Sequence, residues 1–139
     1  MAVYIVIGMV VLTGLVVAYR SLGRAATQVA DPLSTMNSVV DVAMTAAATP
    51  TAREAVRASR RRLEACVQQM EAVDAAPLEE SAADARALIV VALDELRWWA
   101  RLCESDAYST GSGLQRASDA LREDALRCLD EASRLLAGC

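Results

Sequence analysis

Cys66, Cys103, Cys128 and Cys139 are the side chains of this 139-residue chain best suited to redox or metal chemistry. No two of them form a CxxC pair, and the chain has no histidine, so neither the spacing nor the usual nitrogen ligand of a zinc site is present. Lysine is absent as well. That excludes a Ser-His-Asp triad, a Schiff-base lysine and a phosphate-loop lysine. A carboxylate-bridged dimetal centre draws on Glu-x-x-His and is excluded too. The acids do not converge on a site. Glu123 with Arg127, Asp130 with Arg134 and Asp119 with Arg122 fall at helical spacings, as surface pairs contributing about 0.2–0.5 kcal/mol each. The sequence is therefore read as a non-enzyme, without catalytic, metal or cofactor residues. Its cysteines either pack as small hydrophobes or act as a thiol pair.

The remaining candidates concern binding. Arg53, Arg57, Arg60, Arg61 and Arg62 form one dense basic cluster, and the first three share a helical face. Residues 20 to 62 carry a net charge of +4 and residues 63 to 139 a net charge of −8. A basic part near an apolar segment suits anionic lipid headgroups or an acidic protein partner. Nucleic acid is not expected, because the whole chain carries −4 and no aromatic or glycine-rich interleaving accompanies the arginines. Trp98 and Trp99 point about 100° apart on a helix. Trp99 fits an apolar seam, and Trp98 is the candidate interface residue.

These side chains must be positioned by helices. Apolar residues make up 55% of the chain, with a mean hydropathy of +0.27, and arginine supplies all 14 positive charges. Alanine, leucine, arginine and glutamate dominate beyond position 50, where β-branched residues are few. Val3 to Tyr19 carries no charge, and its seventeen residues span about 26 Å at 1.5 Å each, the short end of a bilayer span. Tyr4 and Tyr19 mark its ends, and Arg20 can snorkel. A cleaved signal peptide needs a basic leading region, which Met1-Ala2 does not supply. Arg20 and Arg24 follow the span, so the expected topology is single-pass, with the amino terminus outside and the body cytoplasmic. Gly14 and Ala18 form a small-xxx-small pair able to pack two spans.

Beyond the anchor (1–20), residues 21–49 read as a juxtamembrane linker with a short amphipathic helix opening at Asp31-Pro32. Its stripe is Leu33, Met36, Val40, Ala43 and Ala47. Residues 50–139 read as a bundle domain. Its first seam is Ala52, Val56, Ser59, Leu63, Cys66, Met70 and Val73. The second, after Pro77, is Ala82, Ala85, Ile89, Ala92, Leu96, Trp99 and Cys103. The third is Leu114, Ser118, Leu121, Ala125, Cys128, Ala132 and Leu135. Thr51 with Glu54 and Ser112 with Gln115 read as capping boxes. The fold class is thus all-α: one transmembrane helix followed by an antiparallel three-helix bundle, which the helix at 32–48 can extend to four. Leu63, Leu96 and Leu121 are expected in one layer. Cys66 and Cys128 each lie fifteen residues into their helices, counted from Thr51 and Gly113, and are expected at one depth within disulfide reach. The function expected is that of a membrane-anchored interaction module, an adaptor or accessory subunit whose partner is another protein or a second copy. The alternative is a thiol-based sensor using the seam cysteines.

Overall fold

The computed structural model describes residues 31–105, 108 and 110–139. They form four helices and, among the described residues, no strand: α1 (Pro32–Ala47), α2 (Arg53–Glu71), α3 (Glu80–Glu104) and α4 (Ser112–Ala137). The helices follow from local chemistry. Pro32 opens α1 at a position whose N–H would have no helical partner, and Thr35 N–H donates to the Asp31 carbonyl at 2.9 Å. Pro50 disfavours helical backbone at Thr49, and α1 stops just before it. Neither capping box forms. Ala52 and Gly111 hold the cap positions without side-chain bonds, and Gln115 Nε2 donates instead to the Tyr108 carbonyl at 3.2 Å.

The sequence places one helix boundary at Pro77, yet residues 72–79 are all connection, with Ala76 N–H donating to Asp74 Oδ1 at 3.0 Å. Arg86 closes this end. Its Nε and Nη2 donate to the Val73 and Met70 carbonyls at 3.1 and 3.4 Å, satisfying groups that the end of α2 leaves open.

Short connections make successive helices antiparallel. α1 packs on α2, α2 on α3, α3 on α4 and α4 on α1, while α1 also meets α3 across the core. No Cα of α2 comes within 8 Å of a Cα of α4. The bundle therefore has four helices, and its compact unit runs from Asp31 to Cys139. Placing α1 in a linker, with the bundle starting at residue 50, misses the core that it supplies: Met36, Val39, Val40, Ala43, Ala46 and Ala47 are all buried.

The α2 and α3 seams are buried as read, except that Ala52 is exposed at the open end of α2. The α4 seam is not. Its buried residues are Ser118, Ala125, Leu129, Ala132 and Leu136, whereas Leu121, Cys128 and Leu135 lie half-buried on its flank. Leu129 and Leu136 follow Cys128 and Leu135 by one position, a turn of about 100° around the helix. A three-helix bundle would aim α4 between α2 and α3; here it must face α3 and α1, and its stripe turns with that neighbour.

None of the described helices is long and apolar enough to cross a membrane. Val3 to Tyr19, Gly14, Ala18, Arg20 and Arg24 lie outside the described residues.

Leu63→Ala, Leu96→Ala and Leu129→Ala should each cost about 2–5 kcal/mol in chemical denaturation followed by helical circular dichroism. Leu121→Ala should cost clearly less than any of them, reversing the order expected from the seam alone.

Candidate functional site

All four cysteines are free thiols: Cys66 and Cys103 are buried, Cys128 is half-buried and Cys139 is exposed. The fold does not bring the expected thiol pair together. Cys66 sits on α2 and Cys128 on α4, helices whose Cα atoms stay more than 8 Å apart, whereas a disulfide needs roughly 7 Å or less. The equal-depth argument holds only if α2 and α4 are neighbours, and α1 stands between them. Burial pushes the Cys66 thiol up from its ordinary value. Cys128 is pushed up by burial first and then by Glu95 and Asp124, with Arg127 opposing. Both shifts disfavour the thiolate, which is the reactive form. Cys103 Sγ lies 3.3 Å from Ser118 Oγ in the core. Tyr108 shares this polar pocket, and its phenol is raised chiefly by burial, partly offset by a hydrogen bond with Ser118. Cys139 Sγ donates to the Leu135 carbonyl at 3.2 Å and lies 3.1 Å from Ser81 Oγ. Among the described residues no group of three cysteines or acids is placed to hold a metal ion.

Two of the candidate arginines serve the fold. Arg57 Nε lies 3.4 Å from Glu104 Oε1 and Arg60 Nε lies 3.3 Å from Glu104 Oε2, with the Glu104 side chain only 15% exposed. They tie the start of α2 to the end of α3. Arg53 is exposed on the same face, and Arg61 and Arg62 project into solvent without an ion pair among the described residues. The cluster begins at the end of the bundle opposite Asp31 and runs back along the first half of α2.

Trp98 is another sequence candidate that the structure leaves available. Its side chain is 51% exposed, with the Arg101 guanidinium 5.1 Å from the ring centroid. Cation–π contact of this kind holds an exposed indole in place. Trp99, one residue on, is fully buried. Val90 and Val91, which sequence reasoning passed over, are 43% and 48% exposed about two turns before Trp98. The signal was present: Leu88 to Leu93 is a continuous apolar run, and no single stripe can bury all of it. Val90 and Val91 also line an open groove of about 560 Å³ with Val67, Met70, Leu93 and Glu95.

Glu95 is the second feature that sequence reasoning did not single out. Its Oε2 is cut off from solvent and has no hydrogen-bond partner among the described residues. Burial raises its carboxyl above the usual carboxylate range, Asp124 and Asp94 raise it further, and Arg127 opposes them. No protein family, curated protein or solved structure matches this chain.

Two outcomes follow from this geometry. Alkylation of the folded protein should modify Cys139 first, while Cys66 and Cys103 react only after unfolding; mass spectrometry of the labelled peptides reads the order. Glu95→Gln should raise stability at neutral pH. A carboxyl whose folded pKa is raised favours folding while protonated, and that contribution is lost as pH rises through the folded pKa. The gain from the amide should therefore shrink towards zero in acid, as melting curves across pH would show.

Proposed function

We propose that the chain is a membrane-anchored helical interaction module, an adaptor or accessory subunit that binds protein through the outer face of α3. The observation that carries this reading is Trp98, half-exposed on a regular helix beside Val90 and Val91. Indoles are enriched among residues that dominate binding energy, and a rigid helix presents one without ordering cost. The uncharged run Val3 to Tyr19 supports the anchor, and Arg20 with Arg24 supports a cytoplasmic body. Arg61 and Arg62 are the arginines best placed for an acidic partner or anionic lipid, since Arg57 and Arg60 already share Glu104. The thiol-sensor alternative has less support, because burial raises two of its four thiols and its expected pair sits on unpaired helices.

Purification of the tagged full chain in mild detergent, with mass spectrometry of what elutes beside it, tests the interaction role. A stoichiometric companion, or stoichiometric self-association, is expected, and Trp98→Ala should weaken it by about 30-fold or more. A lone monomer, or a companion indifferent to Trp98→Ala, would contradict the role assigned to this face. Retention in the membrane after carbonate extraction is the matching outcome for the anchor.

A further inference from the structure

Charge is sorted by sign along the bundle axis. Within about 12 Å of the end where α2 and α4 begin, seven arginines stand against four described acids, and Asp106 in the connection adds a fifth. Arg57, Arg61, Arg101 and Arg116 are exposed there, on three different helices. Within the same depth of the other end, nine acids stand against two arginines, Arg86 and Arg134. Both of these are engaged, Arg86 with the Val73 and Met70 carbonyls and Arg134 with Asp130 and Glu131. The acidic end is also where Asp31 opens α1 and where Cys139 lies, its Sγ 3.1 Å from Ser81 Oγ at the start of α3. The two ends are about 24 Å apart along α1 and about 37 Å along α3.

We infer that the arginine end binds the anionic leaflet of the membrane that anchors the chain, so that the bundle rests arginine end down, with Asp31 and Cys139 held away from the lipid. The inference rests on the anchor proposed above and names the surface that the arginines meet. The whole-chain charge of −4 does not decide the posture. Charges are screened beyond about 8 Å at physiological ionic strength, a fraction of the length of the bundle, so an anionic surface meets one end at a time. One end offers it a surplus of arginine, and the other a large surplus of acid that it repels. Guanidinium groups also suit lipid phosphate, which they can hold through two parallel hydrogen bonds. The length of the chain permits the posture. Ten residues separate Arg20, at the close of the uncharged run, from Asp31. They can reach about 33–36 Å, more than the roughly 24 Å that α1 spans. Lying on the α2 side would be worse matched, because Glu64 and Glu71 continue the helical stripe of Arg57 and Arg61 and would press acid on the same surface.

The test uses the full chain reconstituted into phosphatidylcholine vesicles with or without phosphatidylserine. An impermeant dye added after reconstitution labels the exposed Cys139 of outward-facing bodies. Energy transfer from that dye to headgroup-labelled lipid then reads how close the acidic end comes to the bilayer. Transfer should be low with phosphatidylserine present. It should rise in phosphatidylcholine alone, and also at about 1 M salt, where the screening length falls to about 3 Å. Arg61→Glu combined with Arg116→Glu should raise it on phosphatidylserine vesicles, with helix content unchanged. The same change of charge made by Arg127→Glu with Arg134→Glu, in the half of α4 away from the arginine end, should leave it low. High transfer on phosphatidylserine vesicles would overturn the inference and leave the anchor standing. So would transfer that ignores lipid charge, salt and the Arg61 and Arg116 reversals. Loss of the chain from the vesicles in carbonate would instead overturn the anchor, and this posture with it.

Discussion

The fold depends on α1 occupying the space between α2 and α4. Its buried stripe of Met36, Val39, Val40, Ala43, Ala46 and Ala47 ends in alanines, which let neighbouring backbones approach closely. Only one acid, Asp41, lies within the helix, so little charge must be kept in water. With α1 in place, α2 and α4 face each other diagonally across the core with no Cα pair within 8 Å, and α3 packs on all three other helices. Small residues in every seam leave volume to fill, and Trp99 fills it as the largest fully buried side chain. The same arrangement sets where function can lie. It separates the Cys66 and Cys128 thiols, turns the α4 stripe, and leaves one side of α3 facing outward with more apolar surface than the core can use.

Charge holds the two ends of the bundle. At one end Arg57 and Arg60 share the sheltered Glu104; at the other Arg86 satisfies the last carbonyls of α2. Ion pairs to so sheltered a carboxylate are screened less than the surface pairs along α4, such as Arg122 with Asp119 at 3.6 Å. A cluster that looks like a binding patch in the sequence is thus partly taken up by the fold. Glu95 is the opposite case. It is a carboxylate at the α3–α4 side with one oxygen buried and unpartnered among the described residues, kept there at a cost in stability that ionisation increases.

Periodicity alone identifies the helices and nearly the whole buried face of α2 and α3, because steps of three and four are a property of each helix by itself. It mis-phases α4, because which side of a helix is buried depends on where its neighbours stand. The residues next to that seam are just as apolar: Cys128 and Leu129, or Leu135 and Leu136, satisfy the pattern equally well. The helix of α1 is legible in the sequence, and its position between α2 and α4 is not, since no local signal says whether a weakly polar helix rests on lipid or on protein. Trp98 is legible as an interface candidate because the seam has room for one of two adjacent indoles. The thiol pair fails for the same reason as the α4 phase: equal depth along two helices is informative only when the helices are adjacent.

Hydrogen exchange of the full chain, resolved by helix, tests most directly whether α1 is an integral wall of the bundle. Its central amides, around Val39, Val40 and Ala43, should exchange only through global unfolding, with the same slow rates as the cores of α2, α3 and α4. Exchange of α1 orders of magnitude faster, while the other three helices stay protected, would contradict the four-helix closure and return the bundle to three helices.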